Sequence, residues 1–375
     1  MDESEDDFSS IHYAHGRRDK TLTPGISLYQ ICWFSYLLPS FLIVGVIGNL
    51  LVLIIMSSKG VFVSSRSKDY YRILSVLELT NICFNHFLKC YLSDGLDITT
   101  EGKFSIYLQN ISKWHCKFWH GLWTIITSVT EYTIMMYCVE RCLAIMLPLR
   151  SRAYLQSKTS YILWILLVLP PSLYLGTYTS SISNLLNNST IIEMGNHKCD
   201  FFYAHISFLS YCISSCGIRY TIHIVVVIIC NILIMRKLKS SGHERFRMTM
   251  SIAQAHRSNR ILKSSKILLI ISSIQGVIYF PALVVCVTLC GLHMASAEFQ
   301  TNHSELIAEF TKLYFLTNSL TLTNNICHFF VYLLQIPSFR NEFVRIIHCH
   351  DRRHRLSDSR SLYMRSITCR QDSET

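Results

Sequence analysis

Long apolar stretches alternate with short polar ones between residues 32 and 335, and seven of them reach the roughly 20 residues that a helix needs to cross a bilayer core. They fall near 32–57, 71–92, 116–147, 159–179, 205–236, 263–290 and 312–335. The second is the least apolar, because it carries Glu78, Asn81, Asn85, His86 and Lys89. Leu74, Leu77, Ile82, Phe84 and Leu88 still leave it an apolar face for lipid, with the polar residues turned towards protein. Without that face the segment reads as a loop and the count falls to six. The pattern predicts an all-α, integral membrane bundle of seven helices. No internal repeat of the kind transporters carry is visible.

Charge then orients the bundle. Lys59, Arg66 and Lys68 follow the first span, Arg150, Arg152 and Lys158 the third, and a run from Arg236 to Arg260 the fifth; the tail adds Arg340, Arg345 and Arg352 to Arg370. The alternate segments hold Asp94, Asp97, Glu101, Glu193, Asp200, Glu298 and Glu305 instead. The positive-inside bias therefore predicts an extracellular segment 1–31, a membrane domain 32–348 and a cytoplasmic tail 349–375, in a plasma-membrane protein. The first thirty residues lack the basic start and apolar core of a cleaved leader, so the first span is expected to serve as the insertion signal. Asn110, Asn187, Asn188 and Asn302 head glycosylation sequons, and all four fall in segments assigned to the outside.

The formal charge of +11 changes little in this picture. Its basic residues sit in the loops of one membrane side, which topology explains, so nucleic acid is not an expected partner and membrane lipid is. Most of the fifteen Cys lie inside apolar runs, where Cys behaves as a small hydrophobe. His348-Cys349-His350 is too short to hold a metal alone, and no other zinc spacing occurs. No HExxH, GxSxG or carboxylate pair placed for acid–base work is present, so neither an enzyme nor a cofactor is expected.

The third span ends in Glu140-Arg141-Cys142-Leu143-Ala144-Ile145-Met146-Leu147-Pro148-Leu149. This resembles the Asp/Glu-Arg-Tyr signature of rhodopsin-like G-protein-coupled receptors and the Pro-Leu that follows it. Gly48-Asn49-Leu50-Leu51-Val52 is similar to the first-helix Gly-Asn-x-x-Val, Trp164 to the fourth-helix tryptophan, and Pro281 to the proline of helix six. Phe339-Arg340-Asn341-Glu342-Phe343 resembles the short amphipathic helix after span seven, with Cys349 beyond it as a palmitoylation candidate. The register puts Tyr332 on the tyrosine of Asn-Pro-x-x-Tyr. The general tone is that of the invertebrate peptide-receptor branch, close to FMRFamide-like receptors. The resemblance implies a disulfide between Cys116 and Cys199, and G-protein coupling through Glu140, Arg141, Pro148, Asn231 and Tyr332. It also implies that Arg141 is held by Glu140 at rest and freed when helix six swings out. Ile261 stands where relatives often carry an acid at the base of helix six, so that lock is expected to be weak and some basal signalling is predicted.

Several positions depart from the family. Glu78 replaces Asp, His328-Phe329 replaces Asn-Pro, Asn231 a tyrosine, and Tyr279 the toggle tryptophan. His223, Glu131 and Gln275 replace an apolar relay below the ligand; all three are polar, and each is costly in a membrane interior unless paired. The expectation is a hydrogen-bonded cluster in which Glu131 bonds His223 or Arg219 and Gln275 completes it. Either it fixes helix packing, or it switches on activation. A second polar site joins Asn49, Glu78, Thr130, Asn324, Asn325 and His328, at the place where many relatives bind sodium; here a direct carboxylate–imidazole contact is expected instead.

The implied ligand pocket is lined by His120, Trp123, Thr124 and Thr127, facing Arg219, Tyr279, Ala282, Tyr314 and Asn318. Trp123 occupies the place of the aspartate of amine receptors, which argues against a monoamine, and Leu322 that of the retinal lysine. A cationic, amidated peptide beneath acidic loops is the expectation, signalling through a heterotrimeric G protein. The alternatives are a non-signalling relative acting as scaffold or decoy and, more distantly, a small-molecule transporter.

Overall fold

The computed structural model describes residues 31–58, 60–61, 63, 65–100, 104, 106–147, 159–186, 198–201, 219–244, 252–294, 299 and 302–348. The apolar stretches wind into long helices. Helix α1 opens with a wide π turn, Trp33–Leu37, and runs on as Leu38–Ser57. Helix α2 starts as Ser65–Asn81, widens into π winding over Ile82–Gly95 and closes with Leu96–Thr99. Helix α3 is Lys113–Met146, with the Ser112 hydroxyl accepting the His115 amide at its start, and α4 is Thr159–Ile182. Helices α5 (His223–Glu244), α6 (Ile252–His293) and α7 (Ser304–Gln335) follow, and α8 covers 337–348. The expected fifth span begins at 205, and its part before 219 lies outside the described residues.

Among the described residues, four helices are long and apolar enough to cross a membrane: Trp33–Ser57, Tyr161–Ile182, Arg219–Lys237 and Ser265–Leu292. Their outward faces support the same conclusion. On α1, Ile43, Ile47, Leu50 and Ile54 are exposed at helical spacing, while Gly48, Asn49, Val52 and Ile55 are buried. Water does not tolerate stripes of that kind on several helices at once, whereas lipid does. Helices α2, α3 and α7 fall below that apolarity. Their polar residues, Glu78, Glu131, Glu140, Arg141, Asn324, Asn325 and His328 among them, are buried inside the protein.

One element departs from the all-α expectation. Ser183–Leu186 (β1) pairs antiparallel with Lys198–Phe201 (β2), with Leu185 opposite Cys199. The segment after α4 was read only as a loop, and two four-residue strands carry no periodicity long enough to announce a hairpin.

Helix α3 packs against α2, α4 and α5, α1 lies against α2 and α7, and α6 against α5 and α7. A core of Ile55 and Met56 from α1, Tyr71 from α2, Ile134 and Tyr137 from α3, Ile234 from α5, Leu268 and Ile271 from α6 and Tyr332 from α7 reaches Phe339 on α8. Between apolar helices in lipid, close packing rather than the hydrophobic effect holds such contacts together. The closest approach is between α3 and α4. A Cβ on Gly176 would lie 2.2 Å from Ile125 Cγ1 and 2.9 Å from the Gly121 carbonyl oxygen, so only glycine fits there.

Candidate functional site

A disulfide joins Cys116, at the start of α3, to Cys199 on β2, with Cα atoms 5.5 Å apart. The Cys199 amide also donates to Asn110 Oδ1 at 3.0 Å, so the hairpin is tied to α3 and to the turn before it. Cys286 and Cys290 on α6 are disulfide-bonded as well, so these two stand apart from the Cys of apolar runs that were read as small hydrophobes.

Next to that bridge lie the residues expected to line a pocket. His120 and Trp123 stand one turn apart, ring centroids 5.3 Å, and Trp119 stacks obliquely on Trp123 at 5.8 Å. The Thr124 hydroxyl bonds the His120 carbonyl, and the Thr127 hydroxyl bonds the Trp123 carbonyl while accepting Asn85 Nδ2 at 2.7 Å. Ala282 and Tyr279 are buried on α6, and Tyr314 is half-buried on α7. Asn318 lies in α7. Lys89, counted from sequence only as a polar interruption of the second span, lies with its Nζ 4.2 Å from the centre of the Trp123 ring. Its only trace in the sequence was its spacing of four from Asn85 and of eight from Asn81.

Deeper in the bundle, Glu131 is gripped by Arg219 in two-toothed fashion: Nε at 3.0 and 3.3 Å from its two oxygens and Nη2 at 3.0 Å. Of the two partners expected for Glu131, geometry selects Arg219, whose planar fork matches a carboxylate. The rest of the expected cluster does not close. His223 lies beside Gln275, yet neither imidazole nitrogen nor the amide finds a hydrogen bond of normal geometry among the described residues. The Tyr220 and Tyr279 rings, 6.0 Å apart, wall the ion pair, and Arg219 also lies 4.9 Å above the Tyr220 ring.

The polar site between α1, α2 and α7 does assemble. Glu78 and His328, both essentially sealed from the surface, form a direct carboxylate–imidazole pair through Nδ1. Asn49 Nδ2 donates to the carbonyls of Gly45 and Asn325, each at 3.0 Å, and His86 Nε2 lies 3.3 Å from Asn325 Nδ2. Asn324 is buried beside them in sequence with its Oδ1 unpartnered among the described residues. Thr130 does not join: its hydroxyl is committed to the Ile126 carbonyl of its own helix.

At the far end of α3 the expected Glu140–Arg141 pair is absent among the described residues. Glu140 instead accepts the hydroxyl of Tyr70 from α2. Adjacent helix positions point about 100° apart, so the carboxylate that reaches α2 turns away from the neighbouring guanidinium. Arg141 is buried and lies 5.0 Å from the centre of the Tyr137 ring, which itself stacks on Tyr70 at 4.3 Å. Tyr71 packs on Tyr332 at 4.6 Å. Asn231 and Ser272 exchange hydrogen bonds of 2.8 and 3.0 Å between α5 and α6. Tyr70 was missed from sequence because nothing in the chain order marks a tyrosine seventy residues away as the partner of Glu140.

Of the modification candidates, Asn302 is exposed and Asn110 half-buried. Pro148, Asn187, Asn188 and Cys349 lie outside the described residues. No known protein-family model matches the chain, and no curated protein matches it as a relative.

Proposed function

We propose that the chain is a seven-span, cell-surface receptor of the rhodopsin-like class, with its amino terminus outside, that couples an extracellular ligand to a heterotrimeric G protein. The observation that carries the reading is the state of Arg141. A guanidinium buried at one end of α3, resting on an aromatic ring and with Nε and Nη2 lacking partners among the described residues, is costly unless it serves another conformation. The opposite end of the same helix is pinned by the Cys116–Cys199 bridge, beside an aromatic, polar-lined cluster suited to a ligand. Between them stand two buried polar pairs, the Glu131–Arg219 salt bridge and the Glu78–His328 carboxylate–imidazole contact, which apolar packing could replace in a purely structural bundle. Helices α2, α3 and α7 supply Glu78, Glu131 and His328, and this accounts for their lower apolarity while they still cross the bilayer.

A peptide is the ligand class that fits best, because the Trp123 position removes the carboxylate a monoamine needs. The test is calcium release in cells carrying a promiscuous G protein, challenged with a library of peptides and of monoamines, beside Arg141→Ala at matched surface level. A peptide response abolished by Arg141→Ala supports the reading. A response that survives it, or one to monoamines, overturns the coupling or the pocket respectively. A chain that reaches the surface and stays silent to the whole library moves the assignment to a non-signalling relative.

A further inference from the structure

We propose that two further disulfides, Cys216–Cys286 and Cys212–Cys290, join the fifth and sixth spans as a pair of rungs at the end of the bundle that carries the Cys116–Cys199 bridge. Such bonds stand or fall independently of the receptor reading.

Elimination among the fifteen Cys names the partners. Cys286 and Cys290 are both disulfide-bonded, yet they sit four apart in the unbroken helix α6. Side chains at that spacing hold their Cβ atoms about 5–6 Å apart, whereas a disulfide needs about 3.5–4.5 Å, so the two do not bond each other. Cys116 and Cys199 are taken by one another, and Cys32, Cys83, Cys90, Cys138, Cys142, Cys230 and Cys327 are in no disulfide. Cys212, Cys216, Cys349 and Cys369 remain, all outside the described residues. Position then separates them. Ile267, Leu268 and Ile271 of α6 share with Tyr137 and Cys142 of α3 the core that reaches Phe339 on α8. Cys286 and Cys290 therefore stand at the opposite end, as Cys116 does, while Cys349 follows α8 directly and Cys369 lies further along the same tail. Only Cys212 and Cys216 belong to a span that reaches the right end.

Packing supports the same choice and sets the order. Cys286 and Cys290 are buried in one cluster with Tyr279 of α6 and with Tyr220 and Ile224 of the fifth span, so both face that span. The two helices run in opposite directions, because Asn231 meets Ser272 while His223 meets Tyr279 at 6.2 Å. Carried back along the expected span, this register sets Cys216, seven residues before His223, against Cys286, seven after Tyr279. Cys212, eleven before His223, falls against Cys290, eleven after Tyr279. The crossed pairs miss that register by four residues each, about 6 Å along a helix.

Each rung forms by exchange with an oxidising protein disulfide of the secretory compartment: two thiols give up two protons and two electrons, and the donor disulfide becomes a dithiol. Two bonds at this level stop one helix from sliding or turning on the other. Movement of α6 against the fifth span is then left to the stretch below Cys286, where Pro281 interrupts the backbone ladder.

The experiment alkylates the purified full chain with iodoacetamide before and after reduction and maps its peptides by mass spectrometry. The expected map has Cys212, Cys216, Cys286 and Cys290 alkylated only after reduction, with the peptide of Cys286 and Cys290 joined to that of Cys212 and Cys216. In the double variant Cys212→Ser with Cys290→Ser, Cys216 and Cys286 stay protected. In Cys212→Ser with Cys286→Ser, Cys216 and Cys290 are alkylated without reduction. Alkylation of any of the four in the unreduced wild type, a bond from Cys286 or Cys290 to Cys349, to Cys369 or to each other, or equal protection in both double variants overturns the proposal. The wild-type map needs no variant to fold, and signalling does not enter it, so silence in the calcium assay bears on the receptor reading alone.

Discussion

The Tyr70 hydroxyl of α2 is bonded to the Glu140 carboxylate of α3, and the neighbouring Arg141 rests on Tyr137 instead of on Glu140. The end of α3 is therefore restrained by α2, and Leu268 and Ile271 of α6 line the small space bounded by Tyr70, Tyr137 and Tyr332. If the receptor reading holds, the resting state depends on that tyrosine. Tyr70→Phe keeps the stacking on Tyr137 and deletes the bond, so basal signalling is expected to rise several-fold at equal surface level. A second-messenger assay without ligand measures this. Basal output equal to wild type would show that the bond does not restrain activation.

Breaking the Glu131–Arg219 pair from one side leaves a buried charge uncompensated. Glu131→Gln is expected to lower stability by about 3–5 kcal/mol, with Arg219→Met behaving alike. The double replacement Glu131→Leu with Arg219→Leu should recover much of the loss, since it removes both charges. Thermal inactivation in detergent gives the comparison; a double variant as unstable as the singles would mean that packing, not charge, sets the cost.

Cys116→Ser and Cys199→Ser are expected to cost about 2–5 kcal/mol each, and the two together no more than one alone, because either removes the same bridge. Mobility on non-reducing gels and the unfolding midpoint check it. Additive losses would deny a shared bond.

Gly176→Val places side-chain atoms inside Ile125 and against the Gly121 carbonyl. A core overfilled to this degree forces α3 and α4 apart. Surface expression is expected to collapse, whereas Gly276→Ala, at a position where a Cβ meets nothing within 4 Å, should be silent. Equal behaviour of the two variants would remove the close approach of α3 and α4 from the account.

Much of this was legible in the chain because helix-forming apolar runs and their interruptions are local signals. The limits of α3, expected at 116–147 and observed at Lys113–Met146, follow from an unbroken run and a serine cap. Glu78 with His328 was anticipated because the family resemblance places both at one polar site, where a longer carboxylate and an added imidazole favour direct contact. What escaped depends on winding and on distant neighbours. Fourteen residues of π winding from Ile82 to Gly95 shift the faces on which Asn85, His86 and Lys89 fall, and no composition rule foretells that. Lys89 over Trp123 follows from it. The choice of Arg219 over His223 by Glu131 was equally out of reach, since it turns on fork geometry and not on spacing.

The bond between Asn231 and Ser272 is neutral at both ends, unlike the pairs around Glu131, Glu78 and Glu140. An amide and a hydroxyl neither titrate in the physiological range nor feel the ionic atmosphere. Whatever separates α5 from α6 at that level does work that is the same in dilute and concentrated salt, at acid and at neutral pH. Any sensitivity of such a movement to protons or ions has to enter from another layer of the bundle and reach this one through packing.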